Sequence, residues 1–241
     1  MTGAFRRRFY KDVAVDTADG TFAVLLDRRR LRTPAGLALA LPTRPLADAV
    51  AEEWRQQGET IKPQSMPLFS LAATAIDRVL PLRDAVIGQI CAYAGADLLC
   101  YRARQPSDLV AAQHAAWQPL LDWAAATFGA RLTVTEGVIP VVQPPAAVQA
   151  LHSVVATLEP LALAALASAV QTSGSLIVGL ALVHGRIDAA TAHAVACLDE
   201  QYQANRWGHD SEADRRRQRT HDDLQAAERF LTLCGTEQAV T

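Results

Sequence analysis

Residues 161–183 form a run without a single charged side chain, and this run constrains the fold more than any other feature of the chain. A bilayer span needs about 20 apolar residues, so its length alone is compatible with a membrane helix. Its centre argues otherwise. Gln171-Thr172-Ser173-Gly174-Ser175 is a polar, glycine-containing break. Such a break predicts two short helices, of which the second, residues 175–184, is apolar on every side. A helix of that kind belongs at the centre of a bundle. The expectation is a helical domain built around this segment, with no membrane insertion.

The rest of the composition agrees with a large globular core. Half of the 241 residues are hydrophobic, and one fifth are charged. The formal net charge is −2, without the basic excess of a nucleic-acid binder. Only Lys11 and Lys62 are lysines; the other basic side chains are arginines, whose planar forks suit carboxylates. Cys91, Cys100, Cys197 and Cys234 form no Cys-x-x-Cys pair, which points to reduced thiols rather than a disulfide or zinc framework. The basic start, residues 1–8, has no apolar run behind it and does not read as a secretory signal, so for a mature or bacterial form the expected location is the cytoplasm.

The N-terminal residues have a different period. Residues 9–15 and 22–26 read as strands around a turn at residues 17–20. Asp27-Arg28 reads as a tight turn, and Leu37, Leu39 and Leu41 alternate strictly. This predicts an antiparallel meander. Pro45 then opens a helix carrying Leu46, Ala49, Val50 and Trp54. Further apolar stripes run over residues 68–79 and 86–94. Ser107 is the expected cap of a long helix that Pro119 should kink or split. Residues 131–135 are strand-like and isolated, and everything from Ala146 onward reads as helix. The fold class is therefore α+β: an N-terminal domain at residues 1–80, an antiparallel sheet plus helix, followed by a larger helical domain at residues 81–241.

Motifs for chemistry are scarce. Neither lysine follows a glycine, which excludes a phosphate-binding P-loop. Gly-x-Ser-x-Gly and His-Glu-x-x-His are both absent. His209, Asp210, Glu212 and Asp214 supply hard ligands for a divalent cation, so a metal-dependent hydrolase is the alternative function. The same acids are equally expected at the start of a helix, where its dipole favours them. Two clusters remain. Trp54 follows Glu52-Glu53, and is either a contact residue or the buried face of its helix. Residues 200–208 combine Tyr202, Arg206 and Trp207 with amides at the junction of two helices. Tyr, Trp and Arg are the types enriched at binding hot spots.

In these residues the chain resembles a known family. The markers are Arg8-Phe9-Tyr10, the hairpin Leu26-Asp27-Arg28-Arg29-Arg30-Leu31-Arg32-Thr33-Pro34, and Leu41-Pro42-Thr43. Glu53-Trp54, Ile61-Lys62-Pro63, Met66-Pro67-Leu68 and Thr74-Ala75-Ile76-Asp77 follow. Asp97-Leu98-Leu99-Cys100-Tyr101-Arg102, Gly174-Ser175-Leu176-Ile177, Asp199-Glu200-Gln201-Tyr202-Gln203 and Trp207-Gly208 complete the set. In order and coverage they resemble the ATP12 family of F1-ATPase assembly chaperones. The resemblance implies a small α+β part and a larger helical part. It implies a non-enzymatic protein without a cofactor, monomeric when free, that binds the F1 α subunit and keeps it from aggregating until β subunits replace the chaperone. Eukaryotic relatives would act in the mitochondrial matrix. The family's acidic and aromatic segment maps onto residues 200–212. The expected partner-binding residues are Glu200, Tyr202, Trp207 and Glu212, together with Trp54.

Overall fold

The computed structural model describes residues 7–18, 20–137, 139–208 and 210–235. The first layer is a three-stranded antiparallel sheet of β1 (Val13–Ala18), β2 (Thr21–Leu26) and β3 (Arg29–Arg30), in that spatial order. Val13 lies opposite Leu26 and Ala18 opposite Thr21. The turn into β3 holds Asp27 and Arg28 at φ +48° and +68°. Two successive positive φ values match the right-handed twist of a hairpin, and Asp tolerates that region better than most residues. The Asp27 carboxylate also accepts the backbone N–H groups of Lys11 and Asp12 at 3.0 and 2.9 Å, tying the turn to the preceding segment.

The first strand starts later than the alternation over residues 9–15 predicts. Arg8 and Tyr10 are drawn towards the end of the first helix. Arg8 donates its backbone N–H to the Glu59 carbonyl at 2.8 Å, and its guanidinium donates to the Gln57 carbonyl at 2.5 Å. The buried Tyr10 donates its hydroxyl to the Trp54 carbonyl at 2.6 Å. The Leu37–Leu39–Leu41 alternation does not make a full strand either. Leu39 and Leu41 are buried and Leu41 exchanges two backbone bonds with Phe22, whereas Leu37 is exposed.

Helix α1 (Arg44–Arg55) follows Thr43, whose hydroxyl accepts from the Leu46 N–H, with Pro45 in the first turn. It lays Leu46, Ala47, Val50, Ala51 and Trp54 against β1 and β2. Helix α2 (Pro67–Thr74) passes into one wide π turn over Ala75–Val79, closed by the Leu80 N–H on the Ala75 carbonyl at 3.0 Å. A single helix over residues 68–79 is the sequence expectation; the wide turn occurs where Asp77 accepts from the Thr33 hydroxyl (2.6 Å) and the Ala35 N–H (3.0 Å).

Helices α3 (Arg83–Cys91), α4 (Ser107–Phe128), α5 (Pro145–Thr157), α6 (Pro160–Ser173), α7 (Leu176–Val183), α8 (Ala189–Ala196), α9 (Leu198–Trp207) and α10 (Ser211–Leu233) complete the chain. Pro119 does not split α4, whose buried residues on either side, Trp117, Leu120 and Leu121, pack into the core. Its cap position is Pro106, with Ser107 the first helical residue. The strand-like run after α4 yields only β5 (Thr135–Glu136), parallel to β4 (Tyr101–Arg102). The stretch from Asp188 to Arg206 is two helices, divided at Cys197.

At the centre lies α7, with every residue from Leu176 to Leu182 buried. Its entry is fixed by Asp97, itself completely buried. This carboxylate accepts from the Ser175 hydroxyl (2.7 Å) and from the N–H groups of Ile177 (3.1 Å) and Leu99 (3.0 Å). Burial raises the Asp97 pKa, and these donors oppose the shift. Gly179 lets α7 approach α6: a Cβ there would stand 2.6 Å from Val170 Cγ2 and 3.0 Å from Leu166 Cδ1. Helix α10 then packs against α6 and α8, and further along against α2 and α1. The buried apolar residues of sheet and helices form one continuous cluster.

Candidate protein-binding surface

The junction of α9 and α10 gathers most of the residues singled out in the sequence. Gly208, at φ +100°, ends α9 in a conformation that favours glycine. Asp210 then starts α10 by accepting the Ala213 N–H at 2.9 Å. This corner turns Trp207 outward, and the residue is 72% exposed. No other Trp in the protein stands on the surface: Trp54 and Trp117 are buried, and Trp123 is half-buried.

Around Trp207 the side chains are charged and interlinked. Glu200 Oε1 lies 3.1 Å from Arg216 Nη2, bridging α9 and α10. The Tyr202 hydroxyl sits 2.9 Å from both carboxylate oxygens of Asp108, on the first turn of α4. Arg206 donates to the Tyr202 hydroxyl at 3.0 Å and approaches Asp108 at 3.8 Å. The Tyr202 hydroxyl, above all, holds the Asp108 carboxyl below the usual carboxylate range. Burial and the neighbouring Asp108 raise the Tyr202 phenol. Glu212 is exposed in the first turn of α10. The two ends of this junction thus carry an exposed indole and two sets of linked charged side chains, Glu200 with Arg216 and Tyr202 with Asp108 and Arg206.

Sequence reasoning placed Arg206 in this cluster but missed Asp108 and Arg216 as members of the group. Asp108 is far away in sequence and reads only as a first-turn helix acid. Arg216 is one of several arginines on the α10 face, with nothing in the pattern to separate it from its neighbours.

Trp54 lies elsewhere. It is 6% exposed and packs edge-on against Tyr10 and Phe69, at ring-centroid distances of 5.6 and 5.2 Å. The adjacent Glu53 feels the charge of Arg229, seventeen positions beyond Glu212 on α10. At 1.5 Å per residue that separation is about 25 Å along the helix. Glu53 accepts the N–H groups of Leu68 and Phe69, both at 2.8 Å, and so caps α2. Burial raises its pKa, against those two bonds and Arg229.

The candidate metal ligands are placed differently from one another. His209 lies outside the described residues. Asp210 caps α10 and Asp214 is ion-paired with Arg217, so two of the candidate acids already have partners. Among the described residues no three His, Cys, Asp or Glu side chains come together in a way that could hold a metal ion. No helix of the described residues is long and apolar enough to cross a membrane.

The fold and sequence match known proteins. Residues 7–125 fit the sequence profile of the ATP12 chaperone protein family. The crystal structure of Atp12 from Paracoccus denitrificans superposes with a TM-score of 0.88 at 48% identity, over 95% of this chain and 98% of that one. A structure from Agrobacterium tumefaciens gives a TM-score of 0.88 at 42% identity, over 94% and 85% of the two chains. Mitochondrial protein atp12 of Schizosaccharomyces pombe is 27% identical over 214 residues, 84% of this chain and 74% of that protein. With 48% identity to the Paracoccus protein and the same fold over 95% of its length, the chain belongs to the ATP12 chaperone family.

Proposed function

We propose that this protein is a non-catalytic assembly chaperone for the F1 sector of ATP synthase, that it binds the free α subunit, and that Trp207 is its principal anchor. Membership of the ATP12 family supports the chaperone role. The observation that carries the surface is the exposure of Trp207 at the end of α9. A large indole left in water forgoes roughly 1.5–3 kcal/mol of burial, which a partner's apolar patch would supply. Glu200, Tyr202 and Glu212 form the polar rim. Glu200 is ion-paired through Oε1 to Arg216 yet its side chain is 41% exposed, so the carboxylate can take a second cation from the partner.

This arrangement suits a holder that must let go. Aggregation of an unassembled subunit comes from exposed apolar surface, and a holder must cover that surface. One aromatic anchor with exposed charges gives a moderate interface, which a partner with a larger complementary surface can displace. The protein would act as a monomer in the bacterial cytoplasm, with its eukaryotic relatives in the mitochondrial matrix. Trp54 contributes by shaping the N-terminal part rather than by direct contact.

The test is light scattering of unfolded F1 α subunit diluted into buffer. Equimolar chaperone should suppress the scattering, and Glu200→Lys should lose most of that effect while keeping its melting temperature. Undiminished aggregation with the unaltered protein would overturn the reading.

A further inference from the structure

On the N-terminal part, an open groove of about 1270 Å³ runs between the β2–β3 hairpin and helix α2 with its π turn. Tyr10, Leu31, Trp54, Ile61, Met66 and Phe69 form its apolar floor. Phe9, 54% exposed, stands at its edge. The rim is basic: Arg29, Arg30, Arg32 and Arg78 all reach it. None of these four takes part in the ion pairs found among the described residues.

The two rim acids offset only part of this charge, Asp27 through the nearby Arg29. Asp27 is occupied by the Lys11 and Asp12 N–H groups, and Asp77 by Thr33 and Ala35. Each contributes one negative charge against four positive ones. A second observation lies in the floor. The indole N–H of Trp54 has no hydrogen-bond acceptor among the described residues, although the residue is 94% buried. Buried donors without a partner are uncommon in folded proteins. The π turn that forms one wall belongs to a class of distortion frequent at functional sites.

We propose that this groove is a second docking surface, for a polypeptide segment that combines apolar side chains with carboxylates. Its apolar residues would lie on the floor and its carboxylates would meet the arginine forks. The volume exceeds the roughly 300–1,000 Å³ of small-molecule pockets. Single-stranded nucleic acid needs exposed ring faces for stacking, whereas Trp54 and Tyr10 are buried edge-on against each other. A concave groove also fits a chain better than it fits a flat bilayer. The surface does not rest on the F1 α reading, because it is defined by its own charge and shape.

The test uses a short fluorescein-labelled peptide in which Glu alternates with Leu, and its counterpart with Lys at every Glu position. Fluorescence anisotropy on the whole protein should show saturable binding of the acidic peptide only. Arg29→Glu with Arg30→Glu, both on an exposed edge strand, should weaken binding at least about tenfold at unchanged melting temperature. Should that pair melt early, Arg78→Glu on α2's π turn provides the same reading. Equal binding of both peptides, no binding of either, or unaltered affinity in these variants overturns the proposal. So does binding to phosphatidylglycerol vesicles without binding to the acidic peptide.

Discussion

Single side chains divide into those that hold the fold and those that face outward, and the two groups predict opposite results on substitution. Glu53 is buried and caps α2 through two backbone N–H groups. Glu53→Ala leaves those donors unmet, so urea unfolding should show a loss of about 2–3 kcal/mol. Trp207→Ala should leave stability within about 0.5 kcal/mol, since its side chain stands in solvent. Tyr202 gives a titration signature. Its hydroxyl favours the ionised form of Asp108, whose pKa in the folded protein is lowered. A lowered carboxylate pKa means stabilisation that is present above the unfolded-state value and lost as pH falls through the folded-state value. Tyr202→Phe should therefore move the Asp108 titration upward when followed by carboxyl carbon NMR, and reduce stability at neutral pH while leaving it unchanged in strong acid. An unmoved Asp108 titration would separate the two residues.

Among the elements, α7 shows how closely the helices are packed. Gly179→Ala places a methyl against Val170, a β-branched neighbour with little freedom to turn aside. Thermal unfolding should show a loss of about 1–3 kcal/mol from overpacking. The buried helix and its polar start were legible in the sequence, because periodicity and a Gly-Ser break are local signals. The Asp97 lock on that start was not, since its partner Ser175 is 78 positions away. The same limit explains the meander. The Asp27-Arg28 turn was readable from the spacing of its strands, but the late start of β1 depends on Arg8 and Tyr10 reaching the far end of α1. Asp108 escaped notice for this reason too: its role exists only because α4 begins beside α9.

At the scale of the whole molecule, the division at residues 80 and 81 is a proposal about two architectural parts, one sheet-based and one helical. Helix α10 packs across it, touching α1 and α2 as well as α6 and α8, and the Thr43 hydroxyl donates to the Leu233 carbonyl. With one continuous core, the parts should unfold together: circular dichroism and tryptophan fluorescence should give coincident urea transitions. The same connection places a charged, aromatic corner at one end of α10 and the arginine-rimmed groove near the other. The central claim is that the α9–α10 corner binds free F1 α subunit. It is tested most directly by gel filtration of the purified protein mixed with that subunit, alongside Trp207→Ala. The account predicts co-elution for the unaltered protein and at least about a tenfold loss of affinity for the variant. Separate elution of the unaltered protein and the α subunit, or equal complex formation by both proteins, would contradict it.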